Sequence, residues 1–339
     1  MTLKAGICGF GGLGHVHANS LSQMSDVEVV AVCDKRPDQL KAAEVKINID
    51  TGKKQFDISA SRLYADLRQM LRKEKLDILV TALPTDLHAK AAIMAMNAGV
   101  HVFSEKPMAL TVKECDRMIA ARDRNGRQLM IGQCLRFWPV YDFLLKAIRE
   151  KTYGKLNSLV MERIGANVRW SADNWFNDHL RSGGAILDLH LHDADWANHA
   201  LGWPAGIYAG ALVGETGGFD DITAVWDYPD GAMLTMRCSW MYAGFAMNFR
   251  ALFEKAAIEY GFPPDPALQA ITLADGKREK PPMATAAPYA DELKYFVECA
   301  QGKHRNETCT AESTRGSVEL IHVERKSAEK KKRIAMKQG

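Results

Sequence analysis

Apolar residues in the first third of the chain form short β-rich runs, separated by stretches in which they recur every three to four positions. Strands are predicted over Lys4–Cys8, Val27–Cys33, Asp77–Thr81, Val100–Ser104 and Gln128–Gly132. Helices are predicted over Leu13–Met24, Asp38–Val45, Leu67–Glu74, Leu87–Ala98 and Val112–Arg124. Such alternation makes successive strands parallel, with helices crossing over the faces of one doubly wound sheet. Two helix ends are marked by Asn97-Ala-Gly99 and Asn125-Gly126, where glycine supplies the left-handed terminating residue. The polar segment 46–62 interrupts the rhythm and reads as a loop or small flap.

Beyond residue 130 the pattern changes. A helix over Val140–Lys151, a strand over Lys155–Ile164 and a helical stretch over Ala185–Leu201 precede longer alternating runs at Ile207–Val213, Ile222–Tyr228, Ala232–Trp240, Asn248–Glu259 and Gln269–Ala274. Period-two alternation with turns such as Pro229-Asp-Gly231 predicts a mostly antiparallel sheet. Helical periodicity returns over Tyr289–Ala300 and Ala311–Glu324. The expected organisation is an α/β domain over 1–130 and an α+β domain over 131–339.

Composition narrows the class. The chain has 339 residues, 47% hydrophobic and 25% charged, with no apolar run near the roughly 20 residues of a membrane span. No charged and apolar leader precedes the first strand, so a cytoplasmic protein is expected. Seven scattered cysteines without a C-x-x-C pair argue against disulfides and a cysteine zinc site. A net charge of +3 implies no polyanionic partner, and the basic run Glu324–Arg333 complements the end of a C-terminal helix. Neither nucleic acid nor membrane is expected as a partner.

Gly9-Phe-Gly11-Gly12-Leu13-Gly14 follows a predicted strand and opens a predicted helix, the context in which G-x-G-x-x-G binds a dinucleotide. Gly9 permits the tight turn, Gly11 the approach of a pyrophosphate, and Gly14 close helix packing. Asp34 ends the second strand, where a carboxylate accepts ribose hydroxyls and repels a 2′-phosphate, which favours NAD. Lys35 and Arg36 follow at once and keep NADP, or dual use, as an alternative. In Val102-Phe-Ser-Glu105-Lys106-Pro107, the proline biases Lys106 toward extended backbone, so the lysine projects at the carboxyl edge of the sheet, where it could hydrogen-bond a reacting oxygen.

Several segments occur in the order seen in one family. They are the glycine turn, Thr81-Ala-Leu83-Pro84-Thr-Asp-Leu-His88, Glu105-Lys106-Pro107, Gly132-Gln-Cys-Leu-Arg136-Phe-Trp-Pro139, Gly183-Gly-Ala-Ile-Leu-Asp188-Leu-His190-Leu-His192-Asp-Ala-Asp195, Tyr289–Phe296 and Thr310-Ala-Glu-Ser. The chain thereby resembles the glucose-fructose oxidoreductase, inositol dehydrogenase and rhizopine catabolism family, Gfo/Idh/MocA, over nearly its whole length. The resemblance implies a Rossmann domain, an α+β domain with a large, mostly antiparallel sheet, and a sugar-like substrate held between them over the nicotinamide. It implies Lys106 as catalytic lysine, His192 as proton-transferring residue and Asp188 as its neighbour. It also implies cofactor contacts from Gly9, Gly11, Gly12, Leu13, Gly14, Asp34, Lys35, Leu83, Pro84, His88, Glu105 and Lys106.

On a continuous helix Asp188 and His192 are i and i+4 and share a face. Many relatives have glycine where this chain has His190, which either contacts substrate from a widened pocket or satisfies a buried polar network. Residues 188, 192, 195 and 199 make an Asp, His, Asp, His stripe, but hydride transfer to nicotinamide needs no metal and none is expected. Trp138, Trp170, Trp175, Asn174 and Arg181 suit a polyhydroxylated ring, and Arg136 and Trp175 are the named substrate candidates.

The expected activity is NAD(P)-dependent hydride transfer at a hydroxyl or carbonyl carbon of a sugar, polyol or cyclitol. A transient-redox hydrolase or epimerase and a non-catalytic NAD sensor are the alternatives. A homodimer or homotetramer is expected through the free sheet face.

Overall fold

Six parallel strands build the first sheet in the order β3-β2-β1-β4-β5-β6. Its elements are β1 (Leu3–Cys8), α1 (Gly12–Ser22), β2 (Val27–Cys33), β3 (Arg62–Tyr64), α2 (Leu67–Lys73), β4 (Ile78–Thr81), α3 (Thr85–Asn97), β5 (His101–Glu105), α4 (Val112–Asn125) and β6 (Leu129–Gly132). The middle strands read as nearly continuous apolar runs because helices cover parallel sheets on both faces. Ile78, Leu79 and Val80 of β4 are all fully buried. Strand order reverses between β1 and β4, which opens a crevice at their carboxyl ends. Local signals set the helix ends. Thr111 caps α4 by accepting the Glu114 amide, and Gly126 closes it at φ 59°.

The computed structural model describes residues 2–36, 38–41, 56–262, 269–281 and 287–336. Residues 46–55 of the segment 46–62 and residues 42–45 of the helix expected over Asp38–Val45 lie outside the described residues, and Gln39–Lys41 form a 3-10 turn. The description resumes at Phe56 and passes through a 3-10 turn over Ile58–Ala60, and only the last residue of the expected loop, Arg62, belongs to β3, a parallel edge strand paired with β2. It has only three residues, two of them exposed, so no apolar alternation announces it.

The remaining elements are α5 (Pro139–Arg149), β7 (Leu156–Ala166), α6 (His179–Ser182), α7 (Ala185–Asp188), α8 (Leu191–Leu201), β8 (Gly206–Val213), β9 (Phe219–Asp227), β10 (Met233–Ser239), β11 (Met241–Phe253), β12 (Ala256–Tyr260), β13 (Gln269–Leu273), β14 (Arg278–Glu279), α9 (Pro288–Ala300), α10 (Ala311–Lys330) and β15 (Ile334–Ala335). Nine strands form a second sheet, in the order β14-β13-β12-β11-β7-β10-β9-β8-β15. Its ladders are antiparallel except for β10 with β7. The strand expected over Asn248–Glu259 is two, β11 and β12, because the chain turns back at Glu254 and Lys255. Alternation sends Leu159 and Met161 inward while Val160 stays 46% exposed, and Tyr208, Met233 and Leu252 are likewise exposed.

The chain divides into two units, 1–137 with 287–315 and 138–286 with 316–339. The expected division at residue 130 therefore misses a return of the chain. Leu293, Phe296 and Val297 of α9 join Phe10, Ala18, Leu21 and Phe103 in one core. Burying each such side chain contributes about 1.5–3 kcal/mol. Among the described residues no helix is long and apolar enough to cross a membrane.

Candidate active site

In the first unit the glycine turn is required by its surroundings. Gly9 has φ 91°, and a Cβ there would meet Ala82 O at 2.2 Å. A Cβ on Gly14 would meet Gly9 O at 2.1 Å. At Gly11 a Cβ would meet nothing within 4 Å, so the constraint there is not imposed by the protein. Gly11 is also the N-cap of α1, without a side-chain cap and without an acidic residue in the first turn. Uncapped N–H groups beside open space fit a phosphate or pyrophosphate.

Asp34 is 7% exposed, and its carboxylate binds the turn itself: Oδ2 accepts the Phe10 amide at 2.8 Å and Oδ1 the Arg36 amide at 2.9 Å. The Arg36 guanidinium Nε lies 3.6 Å from Oδ1. Each oxygen has a second lone pair for a ribose hydroxyl. Lys35 next to it is exposed.

Lys106 stands immediately after β5 and is half-buried, at the carboxyl edge between β4 and β6. Glu105 before it is buried, with Oε1 2.7 Å from His17 Nε2 of α1, while Oε2 accepts the Lys106 amide at 3.2 Å. The Lys106–Pro107 peptide is cis. Leu83 and Pro84 lead into α3, and Pro84 is its N-cap. His88 lies behind them, 1% exposed, with Nδ1 2.7 Å from Pro107 O and Nε2 2.8 Å from Leu83 O. Both ring nitrogens face the protein, so His88 joins the loop after β4 to the lysine loop. Burial pushes its pKa down, against the opposing pull of the two carbonyls and Glu105. Arg136 is 6% exposed and donates to Thr308 O at 2.7 Å and Ser313 Oγ at 3.0 Å, which ties the turn after β6 to the start of α10.

Glu292 was not singled out from the sequence. It lies on α9, is fully buried, and neither carboxyl oxygen has a hydrogen-bond partner. Burial and the negative charge of Glu105 hold its pKa well above the ordinary range. Its signal was an acid inside the apolar stripe of Leu293, Phe296 and Val297.

In the second unit, Gly183 and Gly184 take positive φ of 86° and 76° and deliver the chain into α7. The helix expected over Ala185–Leu201 is broken. α7 ends at Asp188 and α8 begins at Leu191, and Leu189 and His190 between them keep helical φ and ψ. At the break the His190 amide reaches back five residues to Ala185 O, and the His192 amide only three to Leu189 O. Asp188 is 9% exposed and His192 is half-buried.

His190 is fully buried, its Nε2 2.8 Å from Glu324 Oε2. Asp193 is paired with Arg163 of β7 through two contacts of 2.8 and 3.0 Å, and Arg163 also donates to Tyr141 OH at 3.1 Å. Asp195 accepts Ser317 Oγ at 2.7 Å. Among the described residues no group of three or more His, Cys, Asp or Glu is gathered as a metal site. Trp175 stacks on Phe176 at 3.9 Å, next to Asp173 and Asn174, which both adopt positive φ.

Residues 3–133 match the oxidoreductase family model with NAD-binding Rossmann fold, and residues 141–259 match the GFO/IDH/MocA C-terminal domain. The chain is 26% identical to a myo-inositol 2-dehydrogenase of Thermotoga maritima over 68% of its length, and 35% identical to an inositol 2-dehydrogenase of Salmonella paratyphi B over 40%. These alignments span 66% and 38% of the two relatives. The WlbA dehydrogenase of Bordetella pertussis, solved with NADH and UDP-GlcNAcA, superposes over 100% of both chains with a TM-score of 0.82 at 22% identity, a likeness of fold. With both halves matched in order and the glycine turn and lysine loop in place, the chain belongs to the Gfo/Idh/MocA oxidoreductase family.

Proposed function

We propose that the protein is a cytoplasmic NAD-dependent dehydrogenase that oxidises a secondary hydroxyl of a sugar, polyol or cyclitol, or reduces the corresponding ketone. The observation that carries this reading is the opening at Gly11 over an uncapped helix, on the same sheet edge as Lys106. The names of the relatives, inositol 2-dehydrogenases, support the substrate class. Asp34 favours NAD, and the neighbouring Arg36 already shares its charge with that carboxylate. The exposed apolar positions of the second sheet, Val160, Tyr208, Met233 and Leu252, support pairing with a second copy of the chain.

Bound NAD supplies a two-electron acceptor for the hydrogen on the carbinol carbon. The rest belongs to this chain. Uncapped amides of α1 hold the pyrophosphate and Asp34 the adenosine ribose. Glu105, fixed by His17, orients the Lys106 backbone so that the ammonium group donates to the substrate oxygen as its charge changes. His192 takes the hydroxyl proton as base in oxidation and returns it in reduction, with Asp188 holding a neighbouring hydroxyl.

Lys106→Met keeps side-chain length but removes the charge and the donors. NAD affinity should change little while kcat falls on the order of 10² or more, and His192→Asn should behave likewise. A variant with near-normal kcat, or one that loses NAD binding in proportion to activity, would place the chemistry elsewhere. Turnover of a sugar without accumulation of NADH would identify a transient-redox hydrolase or epimerase instead.

A further inference from the structure

His192 follows the irregular turn between α7 and α8, where Leu189 and His190 keep helical φ and ψ. The backbone bonds there are first wide and then tight, from the His190 amide to Ala185 O and from the His192 amide to Leu189 O. Glu324 of α10 is fully buried, and its Oε1 accepts Trp226 Nε1 of β9 at 2.7 Å, which fixes the carboxylate against the sheet. Its Oε2 lies 2.8 Å from His190 Nε2 with both side chains at 0% exposure, an ion-pair distance at an angle outside hydrogen-bond geometry. On the other side of His192, Asp193 is held by Arg163. The histidine therefore lies between two buried anchors, one on α10 and one on β7.

Burying an ion pair contributes little to stability, because desolvation offsets the attraction, whereas a close buried contact can favour one packing arrangement over another. Burial alone would lower the pKa of His190. The charge and contact of Glu324, with a further contribution from Asp193 against that of Arg163, more than reverse this and raise it above the ordinary value.

Resting on the dehydrogenase reading above, we infer that His190 and Glu324 form a positioning pair. They fix the α7–α8 break and thereby aim His192, without touching substrate or cofactor themselves. The pair explains why the partner of this histidine is a charged residue buried in α10.

The test is the double variant His190→Leu with Glu324→Gln, which leaves no buried charge and retains an acceptor for Trp226. It should unfold near the wild-type temperature and bind NAD with unchanged affinity. Its kcat should be lower by tenfold or more, on the order expected when a reacting group is displaced by a fraction of an ångström to one ångström. Amides of Leu189–Asp193 should exchange hydrogen faster than in wild type, while the rest of the second unit is unchanged. Wild-type kcat in a folded double variant overturns the inference, as does a kcat loss matched by lost NAD binding. Should the wild-type protein oxidise no polyol or sugar, the functional reading fails by itself. Hydrogen exchange then decides the pair: unaltered protection of residues 189–193 in the folded variant refutes it.

Discussion

Replacing Asp34 by alanine separates two tasks that one carboxylate is placed to perform. Without cofactor, Oδ2 accepts the Phe10 amide at 2.8 Å within the protein, and Oδ1 accepts the partly exposed Arg36 amide at 2.9 Å. Alanine strands the buried Phe10 N–H, and losing a hydrogen bond to a charged group costs about 1.5–3 kcal/mol. The Arg36 amide can be rehydrated and adds little. A loss of about 2 kcal/mol lowers Tm by roughly 4–8 °C for a domain of this size. Asp34→Asn keeps a neutral acceptor and should lose less. The ribose bonds are a separate quantity: each is worth about 1.5–3 kcal/mol, so the Kd for NAD should rise roughly tenfold to hundredfold per bond. Removing the carboxylate also removes repulsion toward a 2′-phosphate, but the loosened turn between Gly9 and Gly14 penalises both dinucleotides. Asp34→Ala should therefore end as a weaker binder of NAD without becoming a good binder of NADP. Thermal unfolding of the ligand-free variants, followed by calorimetric titration with each cofactor, reads the two effects separately. A ligand-free Tm equal to wild type would refute the anchoring role, and unchanged NAD affinity would refute the ribose contact.

Two other expectations concern buried charge. Glu292 has its folded pKa raised above the ordinary value of 4.5 by burial and by Glu105. Its stabilising contribution is thus complete below about pH 4.5 and is lost as pH climbs toward the folded value. In thermal unfolding over this range Glu292→Gln should flatten that decline, and an identical pH profile in both proteins would contradict the assignment. Asp193→Asn leaves Arg163, 5% exposed, without its carboxylate and should cost about 3–5 kcal/mol, read as a fall in Tm of roughly 6 °C or more; a change under one degree would mean the pair is hydrated in solution.

The parts of the fold legible in the sequence are those set by local chemistry. Gly9 and Gly14 were identifiable because the backbone passes so close that any Cβ would collide. The end of α4 was identifiable because Gly126 adopts a left-handed φ. The miss at β3 has the opposite cause. Three residues on a sheet edge carry no periodicity, and their strand character comes only from pairing with Ala31, Val32 and Cys33. The turn within Asn248–Glu259 is made by Glu254 and Lys255, with no Gly, Pro, Asn or Asp to mark it, so the hairpin between β11 and β12 is not announced by turn chemistry. The return of α9 to the first unit is likewise decided by packing against Phe10 and Phe103, far away in the chain.

The same distinction governs the candidate site. Lys106 could be located because a strand, two charges and a proline are contiguous, whereas the group that fixes the residue before it is remote in sequence: His17 on Glu105. His190 shows the limit most sharply. From sequence it had two readings, a substrate contact or a member of a buried network, and nothing within ten residues distinguishes them. The deciding partner, Glu324, lay inside a run that reads as a solvated basic helix end. Alone, that glutamate looks like one more surface charge. Its burial follows from where α10 lies on the second sheet, over Trp226, whose indole N–H needs an acceptor there. Once that bond is made, one carboxylate oxygen is left in an apolar interior, and an imidazole beside it is a physically economical neighbour. The residue that departs from the family pattern is thus accounted for by a second residue more than a hundred positions away. The identity of such residues is written locally in the sequence, while their surroundings are set by remote partners such as Glu324 beside His190.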